Sequence, residues 1–379
     1  MTLEAFVAPF ASHLRSAGHT VVLAASKSDL IGTEGALERL QHAGFAVRRV
    51  TMCDDINPVC DLVSLIELCS FIRREGFDIV HTYTSKAGFI GRLAARAAGV
   101  PVVLHTAYDL HFRARLSPMA RWIYILLEKF AARHCDAIFF VSDAVRDAAL
   151  LNALKKPSQL IKVGIGVDLD RFPIGVADPE RARKDLSLEI GKNVVGTIAR
   201  LVPHKGIDCF LRAAQLVLRV APQTGFVVIG EGPLRRDLEE LARSLGVAQS
   251  VTFTGFLRNS ADIPKMLAAM DVFVLPSRRE GFGVVCAEAM AMRVPVVASR
   301  IPPITEVAQD GKTGILVPAD DPPLFAEAII SLLQDEARRK EMGQAGRARV
   351  EALFDQRRSF QRMESLYQEF LGQKGVLQT

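Results

Sequence analysis

The sequence contains no long hydrophobic run, although hydrophobic residues make up 49% of its 379 residues. Near the middle of the chain the longest unbroken apolar run is Trp122–Leu127, far below the roughly 20 residues that a membrane-spanning helix needs. Residues Met1–Gly18 also lack the basic start and apolar core of a signal peptide. We therefore expect a cytoplasmic protein that does not cross a membrane, with peripheral contact to the inner face of the cytoplasmic membrane left open.

Metal-binding spacing is absent as well. The six cysteines form no Cys-x-x-Cys pair and show no zinc-like spacing, so the sequence predicts reduced cytosolic thiols. Dense clusters of basic residues are also missing, and the formal net charge is only +5. This charge fits an anionic small ligand or anionic lipid headgroups at least as well as nucleic acid. We expect no nucleic-acid partner.

Short apolar strands alternate with helical segments along the whole chain, which is the pattern of a parallel α/β fold. The simplest architecture is two Rossmann-like domains facing each other across a cleft. We place an acceptor-side domain at 1–172, a donor domain at 173–355 and a helix at 356–379 that packs back toward the first domain. The first domain is predicted to begin with helix Leu3–Ala17 and therefore to lack its first strand. Either the sequence is truncated or its start is assigned too late.

Three predicted strand ends in the second half carry candidate site residues. Arg200 and Lys205 follow one strand, and both could reach the same phosphate. The Gly230–Gly232 turn follows the next strand, and the segment Glu280–Glu288 follows a third. Ligands of open α/β sheets bind at the carboxyl ends of the strands, so the three belong together. Taken singly, the cations could be solvated surface residues and the glycines a mere connecting turn.

The order of these motifs resembles the family-four retaining glycosyltransferases of GT-B fold, especially their bacterial surface-polysaccharide branch, over nearly the whole chain. In the second half the matching motifs are Arg200…Lys205-Gly206, Gly230-Glu231-Gly232-Pro233, Pro276-Ser277…Glu280-Gly281-Phe282-Gly283, Glu288-Ala289-Met290 and Glu306…Asp310-Gly311…Thr313-Gly314. In the first half they are Gly18-His19-Thr20-Val21, Asp78-Ile79-Val80-His81, Ser85-Lys86-Ala87-Gly88 and Val167-Asp168…Arg171-Phe172.

The resemblance implies a role for each matching residue. Arg200 and Lys205 would hold the donor diphosphate and stabilise the leaving group, and Glu280 would contact the donor sugar. The other implied donor-binding residues are Gly230, Gly232, Gly281, Phe282, Gly283 and Glu288, of which Glu288 would accept hydrogen bonds from the ribose. The implied reaction transfers a sugar with retention from a UDP- or GDP-sugar to a glycan or lipid-linked acceptor, with no cofactor and no metal.

The sequence departs from the family pattern at several positions. A family histidine after the strand Pro101–Thr106 is replaced by Tyr108, and an earlier one by Tyr83, while His105 stands nearby without aligning. Tyr108 and His105 are therefore the candidates on the acceptor side. In the second half, Arg293 replaces a family glycine and Pro302-Pro303 replaces a Gly-Gly pair.

Three functional hypotheses remain open at this stage. The first is an active glycosyltransferase, the second a catalytically impaired nucleotide-sugar-binding remnant, and the third a nucleotide-sugar epimerase. The basic, aromatic segment 112–133 also allows two interpretations. A helix that packs its apolar face on the sheet is favoured, and a helix in a membrane interface is the alternative.

Overall fold

The structure is a computed structural model that describes residues 6–26, 36–53, 56–175, 179–185, 193–255 and 262–376. The chain divides into two compact units, Met1–Val163 with Ser359–Thr379, and Gly164–Arg358. These unit boundaries lie beside the predicted domain boundaries at 172/173 and 355/356. Residues 3–5 of the predicted first helix lie outside the described residues.

The first unit contains two parallel sheets. One is β1 (Val22–Ser26) paired with β2 (Ala46–Val50), and the other has the order β3 (Ile79–Tyr83), β4 (Val102–Ala107), β5 (Ala137–Phe140), β6 (Leu160–Lys162). In the part of the unit that the structure describes, β1 and β3 each pair with a neighbour along one edge only. Helix α1 (Ala8–Ser16) precedes β1, and the helices between the strands are α2 (Ala36–His42), α3 (Pro58–Glu75), α4 (Ser85–Ala98), α5 (Pro118–Ala132) and α6 (Asp143–Leu151).

Local sequence signals set the ends of these helices. At the start of α3, Pro58 follows Asn57, whose side chain accepts a hydrogen bond from the backbone N–H of Cys60. The helix ends at Gly76, which adopts the left-handed conformation favoured by glycine. Helix α5 begins in the same way, because Ser117 caps it and Pro118 occupies its first turn.

The four-stranded sheet is covered on both faces. Its first face packs against α3, α4 and α5 around residues such as Ile90, Val103 and Ile138. Its second face packs Val102 and Leu104 against α1 and the C-terminal residues 363–371. Because side chains alternate along a strand, consecutive residues of β3, and likewise of β4, lie on opposite faces of the sheet. Only side chains on the same face can therefore contact one another.

One sequence prediction for the first unit is wrong and another is incomplete. Cys53 and Cys60 form a disulfide, with Cα atoms 6.3 Å apart, so these two thiols are not reduced. The bond links the loop before α3 to its first turn, a proximity that the seven-residue separation alone does not reveal. The favoured packing of segment 112–133 describes only one side of α5, because Tyr124, Ile125 and Ala132 pack on the core while a second apolar side faces solvent and leaves Trp122 61% exposed.

The second unit contains one six-stranded parallel sheet of order β12-β11-β10-β7-β8-β9. Its strands are β7 (Asn193–Ile198), β8 (Thr224–Ile229), β9 (Val251–Gly255), β10 (Val272–Leu275), β11 (Val296–Ser299) and β12 (Gly314–Val317). Its helices are α7 (Pro179–Asp185), α8 (Ile207–Val220), α9 (Arg235–Ser244), α10 (Ile263–Ala268), α11 (Val284–Ala291), α12 (Pro302–Val307), α13 (Pro322–Gln334) and α14 (Glu336–Leu353). The chain then enters α15 (Gln356–Gln373), most of which belongs to the first unit.

This strand order creates a topological switch point. From β7 the chain builds outward through β8 and β9, and it then returns to place β10, β11 and β12 on the other side of β7. The connections that leave β7 and β10 therefore diverge at the carboxyl edge of the sheet. Open parallel sheets bind their ligands in the crevice at such a point. Among the described residues, no helix is long and apolar enough to span a membrane.

Candidate active site

The loops after β7 and β10 are joined at the switch point of the second unit. The backbone N–H of Arg278 donates to the carbonyl of His204 at 2.8 Å. The guanidinium of Arg278 also forms two bonds to Asp208, at 2.9 and 2.7 Å, and one to Asp320. Hydrogen bonding to Asp208, the largest cause, raises the pKa of Arg278. The contacts of Arg278 thus fix the loop after β10 against the loop after β7.

Lys205 and Glu280 meet at this junction. The ammonium of Lys205 lies 2.5 Å from Glu280 Oε1, and the same oxygen accepts a bond from the Ser277 hydroxyl at 2.7 Å. Both members of the ion pair are mostly buried, at 20% and 10% side-chain exposure. The structure therefore brings together two of the three residues that the sequence predicts as catalytic.

Positive charge exceeds negative charge around this pair. Burial lowers the pKa of His204, and the charges of Lys205, Arg279 and Arg200 lower it further, while Glu280 opposes them. Three cations and one carboxylate therefore act on the same imidazole. Arg200 itself is exposed at the end of β7. A cluster with this excess of positive charge is suited to a diphosphate.

The glycines that follow β7 and β8 are required by close contacts between the two loops. A Cβ on Gly230 would lie 2.0 Å from the carbonyl oxygen of Ala199, and one on Gly232 would lie 2.5 Å from that of Leu201. The backbone N–H of Leu201 also donates to the carbonyl of Glu231 at 2.9 Å. Packing within the unit therefore accounts for both glycines, and their contact with a nucleotide stays a prediction.

Helix α11 begins immediately after the turn that carries Glu280. Gly283 precedes the helix in a left-handed conformation, and no side chain caps the helix there. The first backbone N–H groups of a helix have no partner within it, and together with the helix dipole they favour an anion. The Phe282 side chain is buried and packs edge-on against Phe354, with ring centres 5.5 Å apart. Only the backbone of Phe282 is thus available for a ligand.

Glu288 lies one turn further along α11 and differs from Glu280 in its surroundings. It is half-buried, and desolvation raises the pKa of its carboxyl from 4.5 to about 7, with partial opposition from the charge of Arg171. Among the described residues, no hydrogen bond to this carboxyl is formed. A desolvated carboxylate without a hydrogen-bond donor is suited to accept bonds from ligand hydroxyls.

The corresponding edge of the first unit is aromatic. His81 Nε2 and the Thr106 hydroxyl are 2.7 Å apart, and the hydroxyls of Tyr367 and Tyr83 both approach His81 Nδ1. Desolvation lowers the pKa of His81 to about 3 and raises that of Tyr83. The imidazole is therefore neutral and can donate from one nitrogen while it accepts at the other.

The structure does not bring the two acceptor-side candidates together. Tyr108 follows β4 and stacks near Tyr83, with ring centres 6.2 Å apart, and burial raises its pKa. His105 is buried on the opposite face of β4, where its ring bonds to the Thr82 hydroxyl at 3.0 Å beneath helix α4. Tyr108 thus lies beside the aromatic cluster, whereas His105 is part of the core under α4.

Sequence reasoning missed several residues of these two edges. His204 and Arg279 are adjacent to predicted residues and Ser277 is three positions before Glu280, so closeness in the sequence was the available signal. Tyr367 is 286 residues from His81, and nothing in the sequence links them. Among the residues that the structure describes, no group of three or more potential metal ligands is present.

A switch-point site built from cations, a carboxylate pair and a helix N-terminus defines an α/β protein that binds an anionic, hydroxyl-rich ligand. Comparison with known proteins identifies the family. The model named "Glycosyl transferases group 1" matches residues 178–349, and the model named "Glycosyl transferase 4-like domain" matches residues 2–157. The chain belongs to this glycosyltransferase family, and it is a glycosyltransferase of GT-B fold, as the sequence predicts.

Relatives and solved structures agree with this assignment. The chain is 31% identical over 289 residues to the UDP-Gal:alpha-D-GlcNAc-diphosphoundecaprenol alpha-1,3-galactosyltransferase of Escherichia coli, covering 76% of this chain and 74% of the relative. It is 27% identical to the capsular polysaccharide biosynthesis glycosyltransferase CapM of Staphylococcus aureus, covering 90% of each. Anabaena HepE has the same fold, with a TM-score of 0.76 at 22% identity over 87% of this chain and 88% of HepE.

Proposed function

We propose that this glycosyltransferase uses a UDP- or GDP-sugar and transfers the sugar, with retention, to a glycan or lipid-linked acceptor in surface polysaccharide synthesis. The reaction breaks the bond between the anomeric carbon and the diphosphate oxygen. It forms a bond from the acceptor oxygen to that carbon, and the acceptor proton passes to the leaving phosphate. Two relatives support the donor and acceptor classes, the E. coli enzyme named for UDP-Gal and a diphosphoundecaprenol, and the S. aureus capsular enzyme.

The observation that carries this proposal is the Lys205–Glu280 pair at the switch point, surrounded by further cations. In the proposed reaction, Lys205 and Arg200 stabilise the negative charge that develops on the leaving diphosphate. Glu280 orients Lys205 and contacts the donor sugar, while the first N–H groups of α11 bind a phosphate oxygen. Glu288 accepts hydrogen bonds from the ribose hydroxyls. These groups perform the electrostatic work that a metal performs in other enzymes, so we propose a metal-independent reaction.

We also propose that residues 112–133 contact the membrane peripherally, on the inner face where a lipid-linked acceptor is available. The exposed aromatic and apolar side chains of α5 support this contact, since such faces lie in membrane interfaces. The E. coli relative is named for a lipid-linked acceptor, which agrees with such a location.

Nucleotide titration tests the donor site directly. UDP and GDP are titrated by calorimetry into the wild type, Arg200→Ala, Glu288→Ala and, as a matched control, Arg219→Ala at the far end of α8. We expect weaker binding in the first two variants and wild-type binding in the control. Unchanged affinity in both site variants would contradict the site assignment. Sugar transfer to a lipid-linked acceptor, followed by determination of the anomeric configuration, then tests turnover and retention.

A second candidate function is a nucleotide-sugar-binding protein without turnover. The observation that favours it is the aromatic edge of the first unit, where Tyr83 and Tyr108 both have raised pKa values and cannot act as bases near neutral pH. Tight nucleotide binding without transfer to any acceptor of the proposed class would establish this second function.

A further inference from the structure

Three connections at the carboxyl edge of the second unit's sheet are joined by Arg278. Its Nη1 and Nη2 groups form a bidentate pair with Asp208, in the first turn of α8, at 2.9 and 2.7 Å. Its Nε group donates to Asp320, in the connection that follows β12, at 2.5 Å. Nη1 also donates to the carbonyl of Pro203, in the connection that follows β7. One side chain therefore links the connections that leave β7, β10 and β12.

The backbones of the connections after β7 and β10 also contact each other directly. Gly206 adopts a left-handed conformation with a φ of 68°, and a Cβ there would lie 2.1 Å from the carbonyl oxygen of Pro276. Two residues earlier, the carbonyl of His204 accepts the backbone N–H of Arg278 at 2.8 Å. These contacts lie on both sides of Lys205 in the sequence, so they set the position from which its side chain extends.

Arg278 has little capacity left for a ligand. Its side chain forms four hydrogen bonds within the unit, against the five N–H donors that a guanidinium offers. Its two carboxylate partners, Asp208 and Asp320, also outweigh its single charge. Burial would raise the pKa of Asp208, but hydrogen bonding to Arg278 and its charge outweigh burial and lower that pKa. Arg278 is thus neutralised within the protein and adds no net positive charge to the cations around Lys205.

We propose that Arg278 is a positioning residue for sugar transfer, which holds Lys205 and Glu280 in register without contacting the substrate. Arg278 lies two residues before Glu280, and its partner Asp208 lies three residues after Lys205. Their bidentate bond therefore joins the two chain segments that carry the ion pair. A misplacement of about 1 Å can cost on the order of 10²-fold in rate. This proposal rests on the proposed roles of Lys205 and Glu280 and goes beyond them by naming the contact that fixes their geometry.

Asp208→Asn separates position from charge. The amide keeps the shape of the side chain but removes the ionised partner of Arg278, which leaves the region more positive. A role through position predicts a transfer rate about tenfold lower at saturating donor, although the attraction for a diphosphate increases. Arg278→Met should lower the rate by about 30-fold, because it also breaks the bonds to Pro203 and Asp320. The double variant should be no slower than Arg278→Met, since both substitutions break the same bidentate bond.

Rates are measured as release of UDP or GDP from a panel of UDP- and GDP-hexoses, on the donor that the wild type uses fastest. Arg278→Lys keeps the charge but not the planar fork, so its rate should stay at least about fivefold below that of the wild type. UDP and GDP affinity, measured by calorimetry, should change by less than about threefold, which also shows that the variants fold. Matched controls are Arg219→Met and Glu327→Gln, on exposed positions of α8 and α13, and both should behave as the wild type does.

Amide hydrogen exchange reports on the same bond without any turnover. Exchange should rise in segments 201–208 and 276–283 of Asp208→Asn and Arg278→Met, and in neither control, because the two connections are then less firmly joined. If the wild type releases no nucleotide from any donor, the proposed function fails and hydrogen exchange alone decides on Arg278. Unchanged exchange in both variants would overturn the proposal in either case.

Three kinetic results would also overturn it. A wild-type rate in Arg278→Lys would mean that only the charge of Arg278 matters, and a wild-type rate in Asp208→Asn would mean that their bond positions nothing. A loss of UDP and GDP affinity in Arg278→Met as large as that in Arg200→Ala would make Arg278 a ligand-binding residue. Lys205→Ala distinguishes these results from failure of the proposed function, because a wild-type rate in that variant would contradict the role of Lys205 itself.

Discussion

The carboxyl edges of the two sheets have opposite electrostatic character. In the second unit, Lys205 and Glu280 form a mostly buried ion pair, and further cations surround them. In the first unit, His81 is neutral and Tyr83 keeps its proton, because desolvation moves both pKa values away from neutrality. The same α/β architecture thus presents a polar, charged edge in one unit and an uncharged, aromatic edge in the other.

This difference teaches where the chemistry of the molecule is concentrated. Holding charged groups in a partly buried site costs desolvation energy, and such sites persist where a charged ligand repays that cost. The second unit maintains an excess of positive charge at its switch point, as a diphosphate requires. The first unit instead satisfies its polar groups among themselves, since His81 bonds to Thr106 and Tyr367. We therefore expect substitutions to affect turnover in the second unit and stability in the first.

The largest expected effect is on turnover, from removal of a cation in the second unit. Lys205→Ala should lower the transfer rate by about 10²–10³-fold, the range for loss of one group that stabilises developing negative charge. Arg219→Ala serves as the control, because Arg219 is an exposed arginine on α8 outside the site. Rates are measured at saturating donor, with thermal unfolding as a check on folding. A transfer rate of Lys205→Ala within about threefold of the wild-type rate would contradict the expectation that the second unit carries the chemistry.

The next effect should appear in the first unit as lost stability. His81→Phe leaves the Thr106 and Tyr367 hydroxyls without their partner, which should lower the free energy of unfolding by about 2 kcal/mol. Tyr83→Phe is the milder comparison, since its hydroxyl lies 3.2 Å from the ring nitrogen, and about 1 kcal/mol is expected. Urea unfolding measures both, and UDP or GDP affinity should not change. Weakened nucleotide binding in His81→Phe would contradict a purely structural role.

Glu288 should make nucleotide affinity depend on pH. Its carboxyl must lose a proton before it can accept ribose hydroxyls, and burial raises its pKa to about 7. Affinity should therefore be full above that pKa and fall as the pH drops through it, approaching about tenfold per pH unit. Glu288→Gln should bind weakly and with a flat profile, in calorimetric titrations between about pH 5.5 and pH 8. A sloping profile in Glu288→Gln would assign the titration to another group.

The raised pKa of Glu288 should make the stability of the ligand-free protein fall with rising pH, whereas nucleotide affinity rises. Because the folded state holds this proton more tightly than the unfolded state, ionisation costs stability. That cost is absent below the ordinary value of 4.5, grows as the pH rises toward about 7 and is complete above it. The wild type should thus lose stability relative to Glu288→Gln over that interval. Unfolding curves of both proteins at the two ends of the interval measure the difference.

Much of the fold could be predicted because its signals are local. Apolar periodicity and caps such as Ser117 and Gly76 are visible within a few residues, and they located most strands and helices. The gathering of three candidate strand ends at one sheet edge could be predicted because parallel strands align their carboxyl ends, whereas their role in donor binding stays a prediction.

The remaining features depend on long-range contacts. Lys205 and Glu280 are 75 residues apart, and their pairing follows from the adjacency of β7 and β10, which only the strand order decides. Amphipathic spacing showed that α5 has an apolar face for the core but not that a second apolar side of the helix is left in solvent. The Cys53–Cys60 bond likewise depends on how the loop before α3 folds back. Such features require coordinates because several tertiary arrangements satisfy the same local pattern.

The smallest expected effect is a change in stability at a strained backbone position of the second unit. Arg293 lies between α11 and β11 with a φ of 59°, the left-handed region that side chains disfavour, at a position where the resembled family has glycine. Its side chain is exposed, so its removal sacrifices little packing. Relief of the strain, worth about 1–2 kcal/mol, exceeds the entropic cost of a glycine, so Arg293→Gly should raise the free energy of unfolding by about 0.5–1 kcal/mol.

Arg293→Ala is the matched control for this strain, because it removes the guanidinium but keeps the Cβ that disfavours the left-handed conformation. Urea unfolding should show a gain in stability for Arg293→Gly and none for Arg293→Ala. Equal gains in both variants would mean that the charge of Arg293, rather than its backbone, destabilises the unit. A loss of stability in Arg293→Gly would show that the Arg293 side chain stabilises the connection between α11 and β11. The strained backbone at this position would then be offset by packing.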